Sequence, residues 1–164
     1  KMTKTCIFSD IIIKDDTFRV YNIHLASNWF NSSDYLFIKN PINKKIQEGV
    51  LGIIYRMKNS YKKRAVEVKE IKKHITNSPY PVIVCGDFND TPLSYSYNVF
   101  NKNMIDAFRN CSKGIGATYV GKIPAGRIDY IFHSKDLTSS NFKIQKENLS
   151  DHKAIICDLY KVKN

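Results

Sequence analysis

The sequence lacks the features that mark several protein classes. It has no apolar run approaching the roughly 20 residues that cross a bilayer, and no signal-peptide pattern opens it. Its four cysteines include no CxxC pair and no metal-ligand spacing, so the sequence does not indicate a zinc site built on thiolates. Internal repeats, coiled coils and low-complexity segments are also absent. We therefore expect one soluble domain, with its compartment left open and a membrane-anchored parent as an alternative.

Acidic side chains are also few. Asp and Glu together number 15 against 26 Lys and Arg, which gives a net charge of +11 at pH 7. An excess of this size favours a polyanionic partner, either nucleic acid or an acidic phospholipid surface. Lysine-rich helices are also commonly no more than solvated faces, so composition alone leaves both interpretations open.

The first half of the chain predicts two strands and one long helix. Strands are expected over 5–13 and 18–25, followed by a polar and aromatic loop over 26–43. Apolar residues then recur every three or four positions over 46–75, with lysines between them. This pattern predicts an amphipathic helix with a basic outer face, either continuous or broken near Asn59, that ends before Pro79.

The second half predicts shorter elements. A buried strand is expected at 82–84, a short helix at 94–100, and further strands at 128–132, 142–145 and 154–160. Alternation of strands and helices in this way predicts a single layered α/β or α+β domain over residues 1–164.

Polar side chains lie at the ends of four of the apolar runs, and the last cluster comes directly before its run. The clusters are Asn22 with His24, Asp87 with Asn89, Asp129 alone, and Asp151 with His152. Loops at the carboxyl ends of strands usually carry the chemistry of α/β proteins, so the four clusters predict one active site.

The residue types suit acid and base catalysis. His24 and His152 could flank a scissile bond as general base and general acid near neutral pH. Asp129 is suited to fixing the tautomer of a histidine, and Asp151 is a hard oxygen ligand for a divalent cation. No Ser or Cys lies in a recognisable nucleophile motif, so the set favours attack by an activated water on phosphorus.

Taken together, the motifs resemble those of a known superfamily. Asn22-Ile-His24-Leu, Gly86-Asp87-Phe-Asn89, Arg127-Ile-Asp129-Tyr-Ile and Ser150-Asp151-His152 occur in the order typical of the endonuclease/exonuclease/phosphatase superfamily. The resemblance implies the four-layer α/β/β/α sandwich of the deoxyribonuclease I-like type, in a bacterial member. It also implies metal-dependent hydrolysis of phosphoesters, by a nuclease first, with a phospholipid or phosphoinositide phosphodiesterase or phosphatase as the alternative.

The resemblance also implies roles for the catalytic residues. His152 would be the general base that activates water, oriented by Asp129. Asp87 and Asn89 would position the water and the phosphate, and His24 would contact the phosphate or protonate the leaving oxygen.

Further residues would bind the metal and the substrate. Asp151 would help to hold the divalent metal, with magnesium expected first and manganese or calcium as alternatives. Asn22 would support the site and the substrate, Arg127 would hold either a loop or a phosphate, and Trp29 would contact the substrate. The expected partner is nucleic acid or another phosphodiester, with acidic phospholipid as the alternative.

The sequence departs from the family pattern at its amino-terminal end. No strand carrying Asn, followed by a helix and a strand ending in a metal-binding Glu, precedes His24, and the first glutamate is Glu48. We therefore expect residues 1–164 to be the carboxy-terminal portion of the domain, with an incomplete sandwich that needs its amino-terminal half or self-association. A fragment that binds polyanions without catalysis is the second hypothesis.

Three other aromatic or imidazole side chains have structural explanations. His74 and His133 are expected to be solvated surface residues, and Tyr119 is expected in the core rather than the site.

Overall fold

The computed structural model describes residues 5–28, 34, 46–121 and 126–162. In these ranges, strands and helices alternate along most of the chain. In chain order the elements are β1 (Cys6–Ile13), β2 (Asp16–His24), α1 (Ile46–Thr76), β3 (Val82–Asp87), α2 (Tyr95–Asn101), β4 (Ile105–Asp106), α3 (Ala107–Cys111), β5 (Asp129–His133), β6 (Leu137–Ile144) and β7 (Ile155–Lys161). The mixed α/β class expected from the sequence is confirmed.

Five of the strands form one sheet in the order β1-β2-β3-β5-β4, and β6 pairs with β7 in a second, two-stranded sheet. β2 and β3 run parallel, whereas the other pairs in the main sheet are antiparallel. Parallel neighbours need a crossover, and α1 occurs between them in the chain. Consequently β2 and β3 end at the same edge of the sheet.

One face of the main sheet packs into the hydrophobic core. Tyr21 and Ile23 of β2 and Val84 of β3 are almost fully buried there, together with Val68 and Ile71 of α1. An aromatic cluster extends this core under β5, with successive rings 4.8 to 5.8 Å apart. Its members are Phe88, Phe100, Tyr130 and Phe132.

The opposite face of the main sheet is apolar and open along β1. Ile7, Ile11 and Ile13 are 61%, 42% and 58% exposed. Side chains alternate along a strand, so these three share the face that carries Asn22 and His24 of the neighbouring β2. We call Ile7, Ile11 and Ile13 the β1 apolar face.

The long helix is continuous rather than broken. α1 runs through Asn59 and Ser60 because the Ser60 hydroxyl, which is buried, donates a hydrogen bond to the Ser27 carbonyl at 2.8 Å. A tertiary contact therefore satisfies the polar residue that suggested a break. Within the described residues, no helix combines the length and apolar character that crossing a membrane requires.

Candidate active site

Strand register brings three of the predicted catalytic residues into one row. His24 of β2 is the partner of Asp87 in β3, and Asp87 is in turn the partner of Asp129 in β5. Residues opposite each other on neighbouring strands point to the same face, so the three side chains emerge side by side. They lie on the face opposite the hydrophobic core.

Two unusual backbone positions shape the end of β3. Gly86 has φ +137°, and a Cβ added there would fall 1.9 Å from the carbonyl oxygen of Ile23. Only glycine fits, so the close approach of β2 to β3 beside Asp87 depends on its missing side chain. Asn89 has φ +50°, a left-handed conformation that Asn tolerates better than most residues.

Asn89 fixes the carboxylate of Asp87. Its backbone N–H donates to Asp87 Oδ1 at 2.7 Å, and its side-chain Nδ2 donates to Asp87 Oδ2 at 3.0 Å. The same Nδ2 donates to the Leu25 carbonyl at 3.0 Å, which joins the ends of β2 and β3. The observed role of Asn89 is therefore to orient Asp87.

His152 reaches this row from the segment before β7. Its Nδ1 lies 3.1 Å from both carboxylate oxygens of Asp129, and its Nε2 lies 3.9 Å from Asp87 Oδ2. His24 Nε2 is 3.7 Å from the same Asp87 oxygen, and the His24 side chain is 73% exposed. The Asp87 carboxylate thus lies between two imidazoles, one ordered by Asp129 and one open to solvent.

The surroundings raise the pKa of Asp87. Burial is the largest cause, and the negative charge of Asp129 acts in the same direction. The backbone N–H of Asn89 opposes this rise in pKa because it favours the charged form. The side chains of His152 and His24 act in the same direction as Asn89. A partly buried carboxylate with a raised pKa is typical of a functional site.

Three of these side chains fit a divalent cation. One ligand atom each from Asp87, Asp129 and His152 lies within 4.8 Å of the others. Carboxylate oxygens with an imidazole nitrogen suit magnesium, manganese or a similar ion. Asp151, the predicted metal ligand, is exposed and is not one of these three residues; its Oδ1 accepts a hydrogen bond from Ser150 Oγ at 3.1 Å. Its role as a metal ligand stays a prediction.

Two residues that support the site were not singled out by the sequence motifs. Thr118 is fully buried, and its Oγ1 accepts hydrogen bonds from the backbone N–H groups of Ile128 and Asp129, both at 3.1 Å. The Tyr119 ring packs edge-on against the imidazole of His152, with centroids 5.1 Å apart. Thr118 and Tyr119 therefore position the Asp129–His152 pair. Their only signal in the sequence is a short apolar run, and Tyr119 belongs to the site rather than to the core.

The remaining predicted site residues have different placements. Asn22 lies two residues before His24 on the same face of β2, and it is exposed. Its partners in the strand pairing are Ile7 of β1 and Cys85 of β3. Arg127 is buried, and its Nη1 donates to Asp106 Oδ2 at 2.6 Å. The sequence left two roles open for Arg127, holding a loop or binding a phosphate. Its contact with Asp106 and its burial favour the first role. Trp29 lies outside the described residues.

His133 was predicted to be a surface residue and is instead fully buried. Its Nε2 lies 3.1 Å from Ser139 Oγ, and its Nδ1 lies 3.0 Å from the Ser134 carbonyl oxygen. Both ring nitrogens have partners, which allows the imidazole to be buried. His74 is exposed as expected, with its Nδ1 2.8 Å from the Tyr21 hydroxyl.

The sequence profile of the Endonuclease/Exonuclease/phosphatase family matches residues 28–152. The chain belongs to this family. A search of curated protein sequences found no significant match.

Solved structures of endonuclease/exonuclease/phosphatase proteins share the fold. The human Nocturnin catalytic domain superposes with a TM-score of 0.63 at 18% identity, covering 98% of this chain and 54% of that chain. A Bacteroides thetaiotaomicron mannosyl-6-phosphatase gives 0.55 at 19% identity, covering 94% and 56%. Staphylococcus aureus beta toxin gives 0.56 at 19% identity, covering 97% and 57%. The deoxyribonuclease I-like fold type is thereby confirmed, and the chain spans about half the length of these structures.

Proposed function

We propose that this chain carries the general-base part of a metal-dependent phosphodiesterase, and that this enzyme is a nuclease. The observation that supports this is the contact of His152 Nδ1 with both oxygens of Asp129 at 3.1 Å. We infer that Nδ1 donates to this carboxylate, which leaves the lone pair of Nε2, 3.9 Å from Asp87 Oδ2, to accept a proton. An imidazole in this tautomer can take a proton from water.

In the proposed reaction, His152 Nε2 removes a proton from a water molecule that attacks phosphorus. The imidazolium that results is stabilised by the carboxylate of Asp129, which also keeps the ring in place. His24, exposed on the other side of Asp87, is placed to donate to a phosphate oxygen or to the leaving oxygen. Asn89 keeps the Asp87 carboxylate oriented while charge develops.

Asp87 is the side chain that we propose as a ligand of the metal, since both oxygens of Asp129 are already engaged by His152. A bound magnesium ion would neutralise negative charge on the phosphoryl oxygens and on the leaving group. Manganese or calcium would offer the same oxygen-ligand chemistry.

The β1 apolar face supports a second part of the proposal. Ile7, Ile11 and Ile13 flank the strand that carries His24, and an exposed apolar patch on a sheet commonly packs against another protein surface. We propose that a further sheet, other than the β6–β7 sheet, covers this face in the active protein and supplies further oxygen ligands. The related structures contain about as much chain again as the part matched here.

A phosphatase is the alternative function. The similarity to a mannosyl-6-phosphatase favours it, because a site that positions a phosphoryl group can act on monoesters and on diesters. A polyanion-binding fragment without catalysis is the remaining alternative, and the presence of only three candidate ligands in the described ranges favours it.

The test measures nicking of supercoiled plasmid by the natural protein that contains this chain, in magnesium and in EDTA. We expect magnesium-dependent nicking that falls at least about 100-fold in His152→Ala, the scale expected for loss of a general base. His74→Ala, a change of the same kind outside the site, should keep full activity. Equal activity in His152→Ala and wild type would contradict the proposal, and hydrolysis confined to phosphomonoesters would favour the phosphatase.

A further inference from the structure

An open groove runs along α1 beside α2, away from the row of catalytic side chains. Two cavities of about 520 and 530 Å³ lie there, and both are lined by Tyr95, the first residue of α2. A shared lining residue makes them neighbours. We call the two cavities together the α1 groove. The residues that line it on α1 are Ile54, Met57, Lys58, Tyr61, Lys62, Ala65, Lys69, Lys72, Lys73 and Thr76.

The lining residues of α1 form one continuous stripe. They recur at intervals of three and four from Ile54 to Thr76, which keeps them on one side of the helix. At a rise of 1.5 Å per residue this stretch is about 33 Å long. The groove is therefore long enough for an extended chain of several units rather than a single small molecule.

The charge of the groove has one sign. Five lysines line it, and neither cavity has an acidic residue among its described lining side chains. Lys58, Lys62, Lys69 and Lys73 are exposed at its rim. Several ammonium groups spaced along a groove match the repeating phosphates of a nucleic acid backbone, and their binding releases counterions.

The groove also contains exposed aromatic rings. Tyr61 and Tyr95 are 43% and 53% exposed, although both lie beside apolar residues. The guanidinium of Arg64 lies 4.7 Å from the Tyr61 ring centroid and supports that ring from the protein side. A positively charged groove with accessible aromatic rings is the usual arrangement for binding unpaired bases and their backbone.

The middle of the groove is joined to the segment that follows β3. Arg64, in the turn of α1 that carries Tyr61 and Ala65, is fully buried and donates from Nε to Asp90 Oδ2 at 3.1 Å. Asp90 follows Asn89, and the segment after it leads through Thr91 to Tyr95. Arg64 therefore links the helix that lines the groove to the segment that follows Asp87 and Asn89.

We propose that the α1 groove binds the backbone of single-stranded nucleic acid, with Tyr61 and Tyr95 stacking on its bases. This inference rests on the proposed nuclease function and names its substrate as an unpaired strand.

The test measures binding of a fluorescein-labelled single-stranded 20-mer by anisotropy in EDTA, so that cleavage does not contribute. The triple variant Lys62→Gln, Lys69→Gln, Lys72→Gln removes three groove charges. We expect at least tenfold weaker binding near 0.1 M salt and a slope of log K against log salt that is smaller by about 2. The control triple Lys135→Gln, Lys143→Gln, Lys146→Gln removes the same charge from exposed positions on the β6 side and should change binding less than twofold.

A second variant tests the stacking. Tyr95→Ala should weaken binding of the single strand about tenfold while changing binding of a blunt duplex little, and Tyr95→Phe should restore it. Equal weakening by the two lysine triples would overturn the inference, since only net charge would then matter. Binding to phosphatidylserine vesicles but not to the 20-mer would also overturn it.

Failure of this inference can be separated from failure of the proposed function. Plasmid nicking that depends on His152, with no effect of the groove triple on binding, would retain the function and reject the groove. Binding that depends on the groove, without any metal-dependent hydrolysis, would retain the groove as a binding site and reject the nuclease.

Discussion

His152 and Asp129 form a close imidazole–carboxylate pair, with Nδ1 3.1 Å from each carboxylate oxygen, although they are 23 positions apart in the chain. Two contacts position the pair. Thr118 Oγ1 accepts the backbone N–H of Asp129, and the carbonyl of the same Thr118 accepts the N–H of Lys153. One buried threonine thus fixes both segments, which explains how side chains from β5 and from the loop before β7 meet.

The first prediction concerns this pair. Asp129→Asn keeps the shape of the side chain but presents an amide that favours the wrong tautomer of His152. We expect kcat for phosphodiester hydrolysis to fall by about 10²–10⁴, by analogy with loss of the carboxylate in a catalytic triad. KM should change little, because Asp129 acts through His152. Steady-state kinetics would measure both, and Asp136→Asn, an exposed carboxylate near β6, is the matched control. An unchanged kcat would contradict the role of the pair.

The second prediction concerns the titration of Asp87. Its pKa is raised by burial and by the charge of Asp129, so Asp129→Asn should lower the pKa of Asp87 toward its usual range. Because the pKa of Asp87 is raised in the folded protein, the folded protein binds this proton more tightly than the unfolded chain does. The free energy of unfolding therefore falls as pH rises through that pKa, and the fall should be smaller in the variant. Carboxyl chemical shifts followed by NMR in EDTA would report the titration. A higher pKa in the variant would be the opposite result.

The third prediction concerns Gly86. A methyl group there would collide with the Ile23 carbonyl in a backbone of φ +137°, so Gly86→Ala should lower the free energy of unfolding by about 3 kcal/mol or more. Gly114 also has a positive φ, +93°, but a Cβ there meets nothing within 4 Å. Gly114→Ala should therefore cost only about 1 kcal/mol. Urea unfolding would compare the two, and equal losses would show that the close approach of β2 and β3 has no special requirement.

The fourth prediction concerns Arg64. Its side chain is fully buried, with Nε 3.1 Å from Asp90 and Nη1 2.7 Å from the Ala26 carbonyl. Arg64→Met leaves the Asp90 carboxylate buried without its partner and should cost about 3–5 kcal/mol of stability. Asp90→Asn combined with Arg64→Met should cost less than the sum of the single changes, as measured in a double-mutant cycle. Strict additivity would mean that the two groups do not depend on each other.

The fifth prediction concerns the β1 apolar face. If this face packs against another surface, Ile11→Lys should disfavour the association because it would bury an unpaired ammonium group. Sedimentation of the chain should therefore show less self-association in Ile11→Lys than in the wild type. Ile12→Lys, at a neighbouring exposed position on the other side of β1, should sediment like the wild type. Equal behaviour of the two variants would place the contact elsewhere.

Much of the site could be predicted from the sequence because its residues lie at or next to the ends of strands: His24 and Asp87 end β2 and β3, Asp129 begins β5, and His152 comes shortly before β7. An apolar run followed by Asp87 and Asn89 predicts a carboxylate at a strand end whatever the neighbouring strands are. The same local pattern identified His24, Asp129 and His152. The interior of the fold followed from periodicity as well, since α1 alternates apolar and lysine positions along its length.

Other roles depended on partners that are distant in sequence. Asp151 and His152 are neighbours in the chain, yet only His152 joins Asp87 and Asp129, because adjacent side chains in an extended segment point in different directions. Arg127 was expected to hold a loop or a phosphate and His133 to lie at the surface, but both are buried, where Arg127 pairs with Asp106 and His133 lies beside Ser139. Thr118 belongs to none of the sequence motifs.

The sequence by itself determined the elements, the family and the residue types of the site, because strand and helix periodicity and turn chemistry are local properties of the chain. Only the tertiary structure decided that His24, Asp87 and Asp129 share one row, that Thr118 and Tyr119 hold His152, and that Arg64 links α1 to the catalytic loop. The physical reason is that register and burial depend on which segments pack together, and a one-residue shift in strand pairing would turn His24, Asp87 or Asp129 to the other face.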